Sequence, residues 1–191
     1  LRFTLLSMAS PGRDVKLSED RVKGYRNFLN KIWNANNFLI QNDCNFENIE
    51  TPNDLKLNIN KWIFVEFTST NEKIKKSIDS YRFDEAARIA YQFVWHSFCD
   101  WYLELSKTVF YSENNENIEE TRNVASFIFT QILVILHPFI PFLTEEIWLK
   151  NKLDKDGKDF LMLKNWSEAI SDKNKDSDEV NEIIEFVSSI R

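Results

Sequence analysis

Apolar residues recur at intervals of three and four over most of the chain, which is the period of an amphipathic α-helix. Residues 1–9 form a short apolar segment that looks like the end of one helix, and the Ser-Pro-Gly sequence at 10–12 stops it. A long helix is predicted next. Ser18 is its expected N-cap, and the acidic Glu19 and Asp20 that follow suit the positive end of the helix dipole.

The same period predicts three further long helices. The second covers about residues 60–80, after a polar, Asn-rich connection that contains Pro52. The third covers residues 84–110, with Asp84 as its N-cap. The fourth carries TRNVASFIFTQILVILHPF and ends where Pro138 removes a backbone hydrogen-bond donor.

Shorter elements complete the predicted fold. A short fifth helix, TEEIWLK, starts at Pro141 with Thr144 as its cap, FLMLKNW predicts a short strand, and DEVNEIIEFVSSIR predicts a last helix. Four long antiparallel helices joined by short or moderate loops, plus the short fifth, predict an all-α helix bundle. The low content of 3 Gly and 4 Pro agrees, because sandwiches, barrels and glycine-rich phosphate loops need more turn residues.

Charge is distributed unevenly along the 191 residues. The net charge of −6 argues against a protein that binds nucleic acid over its whole surface. From Leu1 to Lys31, however, seven basic residues stand against three acidic ones, a net of +4, so the remainder of the chain is −10. A basic patch on an acidic body suits a localised contact with an anion such as RNA.

The cysteines and histidines do not form the pattern of a metal site. Cys44 and Cys99 lack CxxC spacing, and we expect both to be reduced and structural, in a cytosolic protein. His96 lies one helical turn from Cys99, but only His137 remains as a further histidine, so core packing is the better interpretation. No apolar run is long enough to span a membrane. Leu1 is not a methionine, and we expect the chain to be cut from a longer protein.

Catalytic motifs are also missing from the sequence. It contains no GxxxxGK[ST] phosphate loop and no nucleophile in a hydrolase context, so the chain alone is expected to be inactive. The aromatic residues of WHSFCDWYLELSK, residues 95–107, repeat at three and four, which indicates a packing stripe. Asp100 and Glu104 lie one turn apart and would suit an acid–base pair, but we favour an acid that accepts hydrogen bonds from a neighbouring helix.

One face of the first long helix is not explained by solvation alone. In KGYRNFLNKIWNANNFLI, residues 23–40, most apolar side chains fall on one face, and the other face carries Asn27, Lys31, Asn34 and Phe38. A solvated face explains the amides and the cation but not the phenylalanine. The alternative is that Phe38 only packs near the end of the helix.

Three stretches of the chain resemble the tRNA anticodon-binding domain of class Ia aminoacyl-tRNA synthetases. They are LRFTLLSMASPGRDVKLSEDRVKGYRNFLNKIWNANNF, YRFDEAARIAYQFVWHSFCDWYLELSK and ILHPFIPFLTEEIW, and the likeness runs from Leu1 to about Trp166. DWYLE and the HPFIPFLTEEIW ending are shared more loosely with the isoleucyl and leucyl members. SPGRDVKLS followed by GYRNFLNKIWNA resembles the valyl members in particular. The HIGH and KMSKS signatures of the family, its editing domain and its valine pocket are not in this chain.

The resemblance implies three parts: residues 1–17 as the tail of the stem-contact segment after a catalytic domain, residues 18–151 as the anticodon-binding bundle, and residues 152–191 as the start of a truncated C-terminal extension. It implies valine-specific tRNA and the catalytic and editing domains of the same chain as partners. We also expect no membrane contact, a monomer and a cytoplasmic location. No cofactor is expected in this part, and ATP and Mg would belong to the full enzyme, which attaches valine to its tRNA.

The resemblance also implies roles for the side chains on the polar face of the first long helix. In the family's NKxxNxxxF helix the matching side chains face the anticodon loop. Lys31 is therefore expected to supply a charge for phosphate, Asn34 an amide for a base edge and Phe38 a ring for stacking. The other expected tRNA-binding residues are Asn27, Arg13, Lys16, Arg21 and Lys23, of which Arg13 and Lys16 lie in a segment near the inner side of the tRNA L in the family. Arg26 is expected either to contact tRNA or to form an ion pair within the bundle.

Two other functions fit the sequence less well. One is the same domain of an isoleucyl- or leucyl-tRNA synthetase, which the SPGRD and GYRNF sequences disfavour. The other is a helical protein-interaction scaffold without RNA binding, which the acidity and the packed aromatic stripes allow. A generic scaffold has no reason to gather positive charge beside NKxxNxxxF, so the RNA-binding function is favoured.

Overall fold

The computed structural model describes residues 1–10, 12, 14, 18–47, 49–153, 159–166 and 178–190. Helices account for all of its regular secondary structure, and no strand occurs among these residues. The predicted all-α class is therefore confirmed. The helices are α1 (Arg2–Met8), α2 (Glu19–Gln41), α3 (Asn58–Asp79), α4 in three consecutive parts (α-helical Phe83–Gln92, π-helical Phe93–Tyr102 and α-helical Leu103–Phe110), α5 (Asn115–Leu136), α6 (Pro141–Lys150) and α7 (Asp178–Ile190), with one 3₁₀ turn at Leu161–Leu163.

The start of α2 follows the sequence prediction. The hydroxyl of Ser18 accepts a hydrogen bond from the backbone N–H of Arg21, as an N-cap should. The predicted cap at Asp84 is wrong, because α4 begins one residue earlier and Arg82 occupies the cap position. Asp84 instead accepts two hydrogen bonds from the Arg82 guanidinium and one from the Ser10 hydroxyl, which ties α4 to the end of α1.

The predicted cap at Thr144 is also wrong. Pro141 is the first residue of α6, so Thr144 lies inside its first turn and is buried. Its hydroxyl lies 2.9 Å from Nδ1 of His137 and donates to the backbone carbonyls of Ile140 and Pro141. The side chain therefore fixes the bend between α5 and α6 rather than capping a helix.

α4 is continuous over residues 83–110, but its middle part is not an α-helix. Phe93–Tyr102 forms π-helical hydrogen bonds, from residue i to i+5, between two α-helical parts. The sequence analysis predicted one uniform α-helix here. A change of period inside a helix alters which side chains share a face, and this positions the candidate site described below.

A single hydrophobic core joins the long helices. α5 is buried along most of its length, and α2 and α3 contribute Phe28, Ile32, Leu39, Ile63 and Phe67. A buried polar network lies within this core. The hydroxyl of Tyr102 donates to Oδ1 of Asn60 at 2.8 Å, and Nδ2 of Asn60 donates to Glu120 and Thr121. Glu120 also accepts from the backbone N–H groups of residues 56 and 57, so the network holds the loop that leads into α3.

The tail packs on the bundle in a form that differs from the prediction. The predicted strand FLMLKNW contains the 3₁₀ turn instead, because no other strand in the described ranges offers it a hydrogen-bonding partner. Leu161 is buried there, and its backbone N–H donates to Glu145. α7 is held against α3 by a hydrogen bond of 2.8 Å from Nε1 of Trp62 to Oδ1 of Asn181. None of the helices in the described part is both long and apolar enough to cross a membrane.

Candidate nucleic-acid interface

The face predicted from the sequence of α2 is present at the surface. At about 100° per residue, Lys23, Asn27, Lys31, Asn34 and Phe38 lie in one row along this helix. The opposite side of α2 buries Phe28, Ile32 and Leu39 in the core. Asn27 and Asn34 are exposed, and their amides have no hydrogen-bond partner within the described ranges. Two unoccupied amides on one face are available to hydrogen-bond with a ligand.

Lys31 does not lie free in this row. Its Nζ donates to Oδ1 of Asp100 on α4 and lies 4.1 Å from the centroid of the Trp95 ring. The second oxygen of Asp100 lies 3.2 Å from Nδ1 of His96. The hypothesis that Asp100 accepts a hydrogen bond from a neighbouring helix is therefore confirmed, and the donor is one of the predicted tRNA-binding residues.

Phe38 has a mixed environment. Its ring packs against the core and lies 6.1 Å from the ring of Phe110, centroid to centroid. Nζ of Lys107 lies 5.7 Å from the Phe38 centroid, so a second cation of α4 borders the row. Phe38 is half-buried, which leaves part of the ring at the surface. Both the packing alternative and the stacking hypothesis are compatible with this position.

The other predicted basic residues are scattered. Arg21 lies off the row and lines a cleft of about 640 Å³ between α1, α2 and α4. Lys23 lies on the row, but only long ion pairs of 3.9 and 3.7 Å join it to Glu19 and Asp20, and all three side chains are solvated. Arg26 is exposed and forms no ion pair with a described residue. Arg13 and Lys16 lie outside the described residues.

Sequence reasoning assigned the aromatic residues on the α4 side of this surface to packing. Trp95 was placed in a packing stripe, and its ring does stack on Tyr91 and Phe28, at centroid distances of 5.5 and 6.3 Å, but it also contacts the ammonium of Lys31. His96 was expected in the core and is instead 61% exposed at its side chain, on the π-helical part of α4. The sequence analysis identified Asp100 as a hydrogen-bond acceptor for a neighbouring helix but did not name its partner, Lys31 on α2.

The thiols and possible metal ligands offer no other site in the described part of the chain. Cys44 and Cys99 are free and buried, and burial raises the pKa of each thiol to about 12. A thiol with so high a pKa is a poor nucleophile at neutral pH. Among the described residues, no group of three or more His, Cys, Asp or Glu side chains is arranged to hold a metal ion.

Known proteins match the parts of the chain that form this surface. The family model described as the anticodon-binding domain of tRNA ligase matches residues 60–191, which include α4 but not α2. The valine–tRNA ligase of Pelagibacter ubique is 62% identical over 191 residues, which are 100% of this chain and 22% of that protein. The valine–tRNA ligases of Mesorhizobium japonicum and Agrobacterium fabrum are 42% and 41% identical over 192 residues, again all of this chain, and 21% and 20% of those proteins. The chain thus spans about a fifth of the length of these relatives, and the match includes α2.

Proposed function

Because the chain belongs to the anticodon-binding domain family of tRNA ligases, we propose that it is the tRNA-recognition module of a valine–tRNA ligase. The relatives described above are valine–tRNA ligases, which favours valine over isoleucine or leucine. In this proposal the longer protein joins valine to its tRNA with ATP and Mg bound elsewhere, and this chain supplies binding and not chemistry. Its partners are valine-specific tRNA and the remaining domains of the same protein.

The exposed row on α2 is the observation that carries the proposal. An anticodon loop offers unpaired bases, which proteins bind by stacking on aromatic rings and by hydrogen bonds to base edges. Asn34 is exposed with an unoccupied amide, and Phe38 follows one turn later with part of its ring at the surface. An amide and a ring at this spacing suit two neighbouring contacts to splayed bases.

The electrostatic contribution to binding should be modest. Lys23 and Arg26 are the solvated cations on or beside this row in the described part of α2, so few phosphates are neutralised. The logarithm of affinity for single-stranded RNA falls by about 0.7 per neutralised phosphate for each tenfold rise in salt, so a shallow dependence is expected. The absence of the rest of the longer protein also predicts weak binding by this chain alone.

Two variants test the proposal, with tRNA affinity and thermal unfolding measured on each. Phe38→Ala is expected to cost about 1–3 kcal/mol of binding to a valine tRNA, the usual range for base stacking on an aromatic ring. Asn34→Ala is expected to reduce discrimination between the cognate tRNA and one with an exchanged anticodon, with an unchanged melting temperature.

Matched controls separate binding from folding. Asn123→Ala removes an exposed amide on α5, and Phe142→Ala removes a ring that is 91% exposed on α6; neither should change tRNA affinity. If Phe38 only packs, its variant loses stability and binds less only through unfolding. Unchanged affinity in folded Phe38 and Asn34 variants would remove RNA binding from this face of α2.

A further inference from the structure

The ammonium group of Lys31 is already compensated inside the protein. Its bond to Asp100 makes an ion pair in which the lysine side chain is 26% exposed and the aspartate side chain 38% exposed. Both groups are therefore reachable from solvent on one side. A contact pair of opposite charges has no net charge, so it adds little to the attraction of a phosphate group. The expected role of Lys31 as a phosphate ligand does not fit this arrangement.

The π-helical part of α4 builds the cluster. Trp95 and Asp100 are five residues apart, and in an α-helix of 3.6 residues per turn they would point about 140° apart. In a π-helix the hydrogen bonds run from i to i+5, so residues five apart lie on adjacent turns. Both side chains consequently meet Lys31 on α2. π-helical turns are frequent at functional sites, and this one places the carboxylate of Asp100 beside the row of side chains on α2.

The pair keeps hydrogen-bonding capacity. The ammonium of Lys31 has three N–H donors, of which Asp100 takes one. An ionised carboxylate offers about four lone-pair directions, and the structure occupies one on each oxygen, through Lys31 and His96. Donors and acceptors thus stand side by side at the surface, one helical turn from the exposed amide of Asn34.

We infer that Asp100 is a specificity-determining residue of this interface, and that the Lys31–Asp100 pair binds the edge of one unpaired base carrying an exocyclic amino group beside a ring nitrogen. On the Watson–Crick edge, adenine and cytosine have this amino group beside a ring nitrogen that accepts a hydrogen bond, whereas the corresponding ring nitrogen of guanine carries a proton. The carboxylate accepts from the amino group, as Asp and Glu do from cytosine, and Lys31 donates to the ring nitrogen. A phosphate is excluded as the partner of Asp100, because like charges repel. The inference rests on the proposed function and names the chemistry that one part of the site recognises.

The test uses the 191-residue chain and a fluorescently labelled anticodon stem–loop RNA of a valine tRNA. Each adenine or cytosine of the loop is replaced in turn by purine riboside or pyrimidin-2-one riboside, which lack the exocyclic amino group. One replacement is expected to lower the affinity of the unmodified chain about 5- to 150-fold. Asp100→Ala is expected to lower the affinity for the natural loop by a similar factor and to remove the effect of that replacement.

Glu104→Ala is the matched control. Glu104 is another acid of α4, one turn after Asp100, and its carboxylate pairs with Nζ of Lys107 at 2.6 Å. This variant should retain the sensitivity to the missing amino group. Asp100→Ser is a second variant with the same expectation as Asp100→Ala, and circular dichroism with urea unfolding shows that each is folded.

Two results would overturn the inference. If Asp100→Ala binds every RNA more tightly and with a steeper salt dependence, Lys31 is a phosphate ligand that Asp100 masks. If the folded Asp100 variants remain as sensitive to the missing amino group as the unmodified chain, Asp100 does not contact that base. Failure of the proposed function would look different: the unmodified chain would bind the stem–loop no better than a hairpin with the same stem and a loop of uridines only.

Discussion

At the scale of single residues, partners determine what a charged side chain can do. Lys31 and Lys107 both stand beside aromatic rings and both pair with an acid of α4, so neither is a free cation. Asp84 is an acid whose charge is satisfied within the protein in the same way. Its side chain is 10% exposed, yet three hydrogen bonds from Arg82 and Ser10 satisfy the charge.

The pairing of Asp84 predicts a pH dependence of stability. The hydrogen bonds from Arg82 hold the pKa of the Asp84 carboxyl at about 2, below its usual value of 3.8. A carboxyl with a lowered folded-state pKa stabilises the fold above its unfolded pKa, and this contribution is lost as the pH falls from about 4 towards 2. Asp84→Asn should therefore lower the free energy of unfolding by about 1–2 kcal/mol at neutral pH, after allowance for the half-exposed Arg82, and by less as the pH approaches 2.

Urea unfolding at a series of pH values measures this difference. Glu72→Gln is the matched control, because Glu72 is exposed on α3 and forms no ion pair with a described residue. A difference between the unmodified chain and Asp84→Asn that stays constant from neutral pH down to pH 2 would contradict the assignment of the stabilisation to the ionised carboxyl.

At the scale of secondary-structure elements, backbone conformation decides the effect of a substitution. Gly24 lies inside α2, where a Cβ atom would meet nothing within 4 Å. Gly12 lies in the turn after α1 with a φ of 75°, which side chains other than glycine rarely adopt. The two glycines therefore make a matched pair that differs in backbone conformation and not in crowding.

Replacement of these glycines by alanine should act in opposite directions. Gly24→Ala is expected to raise the free energy of unfolding by about 0.5–1 kcal/mol, because alanine loses less backbone entropy in a helix. Gly12→Ala is expected to lower it by about 1–2 kcal/mol, the cost of a left-handed conformation for an L-residue. Urea unfolding of the two variants and the unmodified chain measures both. A shift of the same sign for both variants would refute this interpretation.

At the scale of the whole molecule, both cysteines report on the integrity of the core. Cys44 lies in the connection after α2, Cys99 lies in the π-helical part of α4, and both belong to the single hydrophobic core. Burial raises the pKa of each thiol from 9.0 to about 12, so the reactive thiolate fraction falls about a thousandfold. Native labelling then requires an opening of the structure.

At mildly alkaline pH, we expect iodoacetamide to label both cysteines readily in urea and to label both much more slowly in the native chain. Mass spectrometry distinguishes labelling at the two sites. The urea-unfolded chain is the control for intrinsic reactivity. Rapid native labelling of Cys99 alone would show that the contact between α2 and α4 opens locally, because Cys99 lies beside the Lys31–Asp100 pair. Rapid labelling of both would contradict a single closed core.

Much of the fold was readable from the sequence because helix formation leaves a local signature. The long helices at about residues 60–80 and 84–110 and the face of α2 that carries Asn34 and Phe38 follow from a period of 3.6, and the cap at Ser18 follows from its residue type and the acids after it. The errors at Asp84 and Thr144 are also local in origin. Each is a residue type that suits a cap, but each side chain is bonded elsewhere: Asp84 accepts from the neighbouring Arg82 and the distant Ser10, and Thr144 contacts His137 across the bend between α5 and α6.

The sequence by itself determined the helices, their apolar faces and the row of amides, cations and phenylalanine on α2, because each depends on residues three or four apart. The tertiary structure alone decided what the row can bind. Lys31 and Asp100 are 69 residues apart, and only the packing of α2 on a π-helical turn brings them into contact. Neither i to i+5 hydrogen bonding nor a pairing at such a separation produces a local period in the sequence. The ion pair that neutralises Lys31 is therefore visible only in the packed structure.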